Sequence, residues 1–187
     1  CINHDRPSEK SGSVGRVLPD YELYLEDVGL GEQLMSIKFR GKGVLDAYFE
    51  PWRTREQIMA DGWFETGDLG YTDPDGYLFI QGRSKEIINT GGMKFFPQEV
   101  ESCLELHPAV KEACVFSHPD QRMGEIPYSN VVLHTDVSGL PDEQALKAHC
   151  AKNLASFKVP EQIAFVGELL RTASGKLIRQ EMKIQRN

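Results

Sequence analysis

The sequence predicts an α+β fold in two successive parts, a β-rich one over residues 1–84 and a small mixed α+β one over residues 85–187, joined at 83–86. Two observations predict it. Up to Arg83 the apolar residues fall in short runs divided by Pro, Asp and Gly, the pattern of strands and turns. From Pro97 onward they recur at helical spacing between further strand-like runs.

In chain order, residues 14–18 and 21–26 read as strands, with Tyr21, Leu23 and Leu25 on one face and Pro19-Asp20 as the turn. A third strand, 34–40, ends at Gly41 and Gly43. Thr54 suits the cap of a helix over 55–60, stopped by Asp61-Gly62. Strands 69–72 and 77–81 flank Asp73-Pro74-Asp75-Gly76, a hairpin signal because Pro presets φ and Gly accepts positive φ. Pro97 opens a helix at the position where its missing N–H costs nothing, and Val100, Cys103, Leu104 and His107 follow at helical spacing. Residues 110–116 and 128–134 read as strands around a loop at 120–124. Residues 142–154 read as an amphipathic helix, 163–166 as a strand and 177–184 as a final helix.

The chain has 187 residues, 40% hydrophobic and 26% charged, ordinary for a globular protein with a core of its own. Its net charge of −7 argues against general nucleic-acid binding. No apolar run reaches the roughly 20 residues of a membrane span, and no signal peptide pattern opens the chain. Cys1, Cys103, Cys114 and Cys150 form no close pair, so they read as reduced thiols of a cytoplasmic protein rather than a zinc or redox motif. The five histidines lack ligand spacing and no GxSxG elbow is present, so no metal site and no Ser-His-Asp site is expected.

Four places carry residues suited to chemistry. Asp68, in Trp63-Phe64-Glu65-Thr66-Gly67-Asp68, has two carboxylate oxygens that match a vicinal diol, although an Asp after Gly is more often a turn residue. Arg83, in Gly82-Arg83-Ser84-Lys85, presents a rigid fork of donors for ribose or phosphate oxygens, or for a surface ion pair. Gly91-Gly92-Met93-Lys94 offers a backbone without Cβ that a narrow ligand could approach, or a plain turn ahead of Phe96-Pro97-Gln98-Glu99-Val100-Glu101. Lys176 closes Arg171-Thr172-Ala173-Ser174-Gly175-Lys176. A Walker loop would need Gly at 170 and Ser or Thr at 177, and both positions are Leu.

The order and wording of these motifs resemble the C-terminal part of the adenylate-forming enzymes, which include acyl-CoA synthetases, peptide-synthetase adenylation domains and luciferases. The resemblance extends from Gly12-Ser13-Val14-Gly15-Arg16 through Phe157-Lys158-Val159-Pro160 to Lys176. It implies that residues 1–84 are the distal β-rich subdomain of a large N-terminal domain and 85–187 the mobile C-terminal domain. It implies that Asp68 and Arg83 hold the ribose of ATP and AMP, and that Lys85 is the hinge. Gly92 would line the pantetheine tunnel, Lys94 would meet CoA phosphates, and Lys176 would be the catalytic lysine of adenylation. The chain departs from the pattern at Asn89, where lysine is frequent, and at Leu170, where proline is common.

The phosphate loop, the adenine- and Mg2+-contacting segment and the acyl pocket of such enzymes lie earlier in their chains. The expectation is therefore a piece of a longer enzyme, inactive alone, whose partners are its own missing N-terminal domain, a small-molecule carboxylic acid, ATP and CoA. Mg2+ would serve the parent through ligands outside this chain. The expected reaction is ATP-dependent acid–CoA ligation through an acyl-adenylate. The alternatives are an adenylation domain loading a carrier protein, and a non-catalytic module binding a nucleotide or protein partner.

Overall fold

Alternation of apolar and polar residues sets the first sheet of the computed structural model, which describes residues 1, 8–30, 34–135 and 139–180. Strand β1 (Tyr21–Glu26) pairs antiparallel with β2 (Met35–Gly41), Tyr21 opposite Gly41 and Glu26 opposite Ser36. A two-stranded ribbon, β3 (Ala47–Tyr48) with β4 (Arg53–Thr54), leads to a single helical turn, α1 (Arg55–Ile58). The Gln57 side chain caps α1 by accepting the Thr54 N–H at 2.9 Å.

The helix expected to reach residue 60 stops sooner. Asp61 and Gly62 take φ of 51° and 81°, the geometry of a two-residue hairpin, so β5 (Met59–Ala60) folds back on β6 (Trp63–Thr72). The Asp-Gly pair is thus a hairpin signal here rather than a helix stop. Strand β7 (Leu78–Arg83) returns along β6, completing a sheet ordered β1-β2-β6-β5 with β7 on β6. Ile37, Leu69, Tyr77 and Leu78 are buried in this part. Residues 14–18 form no strand; Gly15 and Arg16 lie in isolated bridges, Gly15 opposite Leu78.

The chain divides into two units, Cys1–Lys85 and Glu86–Asn187. The second begins with the short hairpin β8 (Ile88–Thr90) and β9 (Met93–Phe95), which the sequence reading passed over as a turn. Helix α2 (Pro97–Glu105) starts at the proline as expected, with the Phe96 N–H donated to Glu99 at 3.1 Å. His107 lies beyond its end. Long strands β10 (Val110–Asp120) and β11 (Gly124–Leu133) pair antiparallel, and after helix α3 (Glu143–Asn153) strand β12 (Gln162–Phe165) runs parallel to β11. Asp142 caps α3, its carboxylate accepting the Ala145 N–H at 2.7 Å. The architecture is α+β, a sheet-dominated unit followed by one in which two helices cover a sheet.

The core of the second unit joins Val100, Cys103 and Leu104 of α2 to Leu146 and Cys150 of α3 and to Val115, Val131 and Ile163 of the strands. Burial pushes the Cys114 thiol up to about 11, and burial together with neighbouring Cys103 pushes Cys150 up to about 12. Both values lie above the ordinary 9.0, so the neutral thiols stabilise the fold fully below pH 9.0 and that contribution is lost as pH rises toward them. Thermal melts should show stability falling above that point, by at most about 1.4 kcal/mol per pH unit for each thiol. Cys150→Ala should make the fall shallower, and an identical slope in that variant would contradict the assignment.

The final helix expected over 177–184 is absent from its described part. Leu177 bridges Arg171, Ile178 donates its N–H to the Leu170 carbonyl at 2.9 Å, and residues 181–184 lie outside the described residues.

Candidate functional site

Asp68 and Arg83 face each other across the β6–β7 hairpin, with Arg83 Nε donating to Asp68 Oδ1 at 3.0 Å. A register shift brings them together. From the Asp73–Gly76 turn the strands pair Thr72 with Leu78 and Gly70 with Ile80; Leu69 then pairs with Gly82 and Asp68 with Arg83. The extra residue, Gln81, is a β-bulge, and without it Asp68 would oppose Gly82. Glycine at 70 permits the bulge, since a Cβ there would lie 2.1 Å from the Phe79 carbonyl oxygen. Asp68 therefore sits within β6, whereas the sequence reading began that strand only at residue 69.

The backbone around Asp68 is held in place. Its N–H donates to Thr66 Oγ1 at 3.0 Å, that hydroxyl donates to the Ile37 carbonyl at 2.8 Å, and Ser84 Oγ donates to the Gly67 carbonyl at 3.2 Å. Neither Asp68 nor Arg83 is buried. Asp68 Oδ2 and the two terminal nitrogens of Arg83 have no partner among the described residues. An acceptor and a fork of donors thus stand side by side, an arrangement that suits a vicinal diol and the oxygens next to it.

Lys85 is exposed on a single 3-10 turn, Ser84–Glu86, at the junction of the two units. Just beyond it, Gly91 and Gly92 take φ of 59° and 89° and form the two-residue turn between β8 and β9. The two glycines differ in surroundings. A Cβ on Gly91 would lie 2.6 Å from Met123 Cε, whereas one on Gly92 would meet nothing within 4 Å. Gly91 stands against the movable end of the Met123 side chain, and Gly92 borders open space among the described residues. Lys94 is exposed on β9 opposite Asn89, whose N–H donates to Glu125 at 2.8 Å.

Lys176 lies on a different hairpin. Thr172 organises it: its N–H donates to the Lys176 carbonyl at 2.8 Å, its carbonyl accepts from Gly175 at 2.9 Å, and its Oγ1 accepts the Lys176 N–H at 3.1 Å. The base is pinned by Arg171, which reaches the Gly175 carbonyl at 3.1 Å and Glu112 at 2.5 Å. Lys176 itself is exposed and makes no ion pair among the described residues. A cation is therefore carried on a turn closed by backbone bonds at Thr172, Gly175 and Lys176. Arg179, three residues beyond Lys176, is the most heavily bonded side chain of this segment.

Among the described residues no group of three or more His, Cys, Asp or Glu could hold a metal ion. No helix among them is long and apolar enough to cross a membrane.

Residues 99–176 match the family described as the AMP-binding enzyme C-terminal domain, and the chain belongs to the adenylate-forming superfamily of which that domain is a part. It is 40% identical over 177 residues to the 2-succinylbenzoate–CoA ligase of Geobacillus kaustophilus, covering 93% of this chain and 36% of that ligase. It is 39% identical to the sulfoacetate–CoA ligase of Cupriavidus necator, covering 92% of this chain and 33% of that one. Among solved structures, the o-succinylbenzoate CoA synthetase of Bacillus subtilis in complex with its acyl-adenylate intermediate superposes with a TM-score of 0.80 at 36% identity, over 97% of this chain and 37% of that one. The amide bond synthetase McbA from Marinactinospora thermotolerans gives a TM-score of 0.72 at 31% identity, over 89% of this chain and 35% of that one. The chain thus spans about a third of the length of the relatives it matches.

Proposed function

We propose that the protein carrying this chain is an ATP-dependent ligase that joins a small carboxylic acid to CoA through an acyl-adenylate. The observation that carries the reading is the bulge-delivered pairing of Asp68 with Arg83, which leaves a carboxylate oxygen and two guanidinium nitrogens open for a nucleotide ribose. Likeness to a synthetase solved with its acyl-adenylate supports it.

In the first half-reaction the substrate carboxylate attacks the α-phosphorus of ATP and pyrophosphate leaves. Asp68 accepts hydrogen bonds from the ribose hydroxyls, Arg83 holds the neighbouring oxygens, and the Lys176 ammonium meets the negative charge growing on the carboxylate and phosphate oxygens. In the second, the CoA thiol attacks the acyl carbonyl and AMP leaves. The second unit turns about Lys85 between the two steps, withdrawing Lys176 and presenting the Gly92 turn to the pantetheine arm. Lys94 contributes a cation for the CoA phosphates. Mg2+ would neutralise pyrophosphate in the whole enzyme, and its ligands are assigned to no residue of this chain.

Delivery of the acyl group to an amine is the second reading, favoured by the likeness to the amide bond synthetase McbA. The full-length protein should exchange radiolabelled pyrophosphate into ATP only when its carboxylic acid is present, and should then form a thioester with free CoA. Residues 1–187 alone should show no exchange. Absence of acid-dependent exchange in the full-length protein would remove the ligase reading, and exchange without CoA acylation would favour the second.

A further inference from the structure

Arg179 lies three residues beyond Lys176 and ties the segment that carries it to three separate places in the second unit. Its Nε donates to Glu86 at 3.3 Å, Nη1 to the Val115 carbonyl at 3.1 Å and to Glu101, and Nη2 to Glu101 at 3.2 Å. Glu101 on α2 is buried, at 7% exposure, and also accepts the Val115 N–H at 2.7 Å. Glu86 is bonded in turn by Gln98 at 3.1 Å and is the residue next to Lys85.

The remaining ties of this segment each reach a single place. Asn130 Nδ2 holds the Gln180 carbonyl at 3.0 Å, the Cys114 thiol approaches the Ile178 carbonyl at 3.9 Å, and Leu169 is buried with Cys114 and Val132. Arg171 pins the other limb of the Lys176 hairpin to Glu112. A planar guanidinium bonded on several edges has a single orientation, unlike a lone ion pair at the surface. Within the second unit it joins the limb that leaves Lys176 to the residue beside the junction.

We propose that Arg179 is a positioning residue for Lys176: its bonds to Glu101, Val115 and Glu86 fix the hairpin that aims the lysine during adenylation. This rests on the role given to Lys176 above. Arg171 holds one limb of the hairpin and Arg179 the other. Loss of Arg179 leaves the lysine present and charged but poorly aimed.

The test is single-turnover kinetics in the full-length enzyme, with Arg179→Met, Lys176→Ala and the double variant. Arg179→Met should slow adenylation by about 10-fold or more, since a displacement near 1 Å suffices for such losses. Thioester formation from supplied acyl-adenylate and the KM for ATP should change by less than about 2-fold, because both act without the aimed lysine. In the Lys176→Ala background the same change should cost less than about 2-fold more, since a group that works through the lysine has nothing left to position. Because Arg179→Met strands the buried Glu101 carboxylate, Arg179→Met with Glu101→Gln is made as well, and it should melt normally and still adenylate slowly. Normal adenylation in that charge-balanced variant, or a full further loss in the Lys176→Ala background, overturns the proposal. Unimpaired adenylation in Lys176→Ala itself overturns the reading of Lys176 and this proposal with it. An impaired Lys176→Ala beside an unimpaired Arg179→Met overturns this proposal alone.

Discussion

Lys176→Ala in the full-length enzyme should slow adenylation by about 10²–10³, roughly 3–4 kcal/mol of transition-state stabilisation, the loss typical of one preorganised group aimed at developing charge. The fold should be nearly unaffected. Lys176 is exposed and forms no ion pair among the described residues, and its hairpin is closed by backbone groups, Thr172 and Arg171. Thermal melts should therefore overlay the parent within about a degree, surface substitutions being worth less than ~0.5 kcal/mol. Thioester formation from supplied acyl-adenylate should proceed as before, because in the proposed mechanism the cation serves only the step that expels pyrophosphate. A matched loss in both half-reactions would place Lys176 in a general binding role instead.

Gly92→Leu should produce the opposite loss. Among the described residues nothing lies within 4 Å of where its Cβ would stand, so the side chain would chiefly obstruct what comes to that space from outside. With a pantetheine arm there, thioester formation should fall by about 10² through misplacement of the thiol, while adenylation continues. The backbone cost must be separated from this effect, because φ at Gly92 is 89° and a residue with Cβ pays about 1–2 kcal/mol to hold a left-handed conformation. Gly92→Asn is the control for strain, since Asn tolerates positive φ better and carries a shorter side chain. Thioester rates should then rank Gly above Asn above Leu, with much smaller differences in melting temperature.

Most of the candidate residues were legible because their motifs are contiguous: Asp68, Arg83, Lys85, Gly92, Lys94 and Lys176 each lie in a short, recognisable run. What joins them was not legible. The meeting of Asp68 with Arg83 depends on one bulged residue, Gln81, and period-2 patterning cannot show on which strand an extra residue is inserted. Asp61-Gly62 was readable as a hairpin turn, but the Thr54 cap and the run after it gave a helical reading that extended too far. The apolar spacing of Leu177 and Ile178 suggested a helix, whereas the pair forms the return limb of the Lys176 hairpin. Arg179 was hidden for the same reason: a cation bonded to a buried carboxylate 78 residues earlier looks in sequence like any other basic residue near a terminus.

The central claim is that one chain serves two half-reactions with two different surfaces of its second unit, Lys176 for adenylation and the Gly92 turn for thioester formation. Single-turnover rates of both half-reactions, measured side by side for Lys176→Ala and Gly92→Leu, test it most directly. The ratio of adenylation to thioester rate should fall by about 10² or more in the first variant and rise by about 10² in the second, moving in opposite directions from the parent. A ratio that moves in the same direction in both variants, or stays at the parent value in either, would contradict the claim.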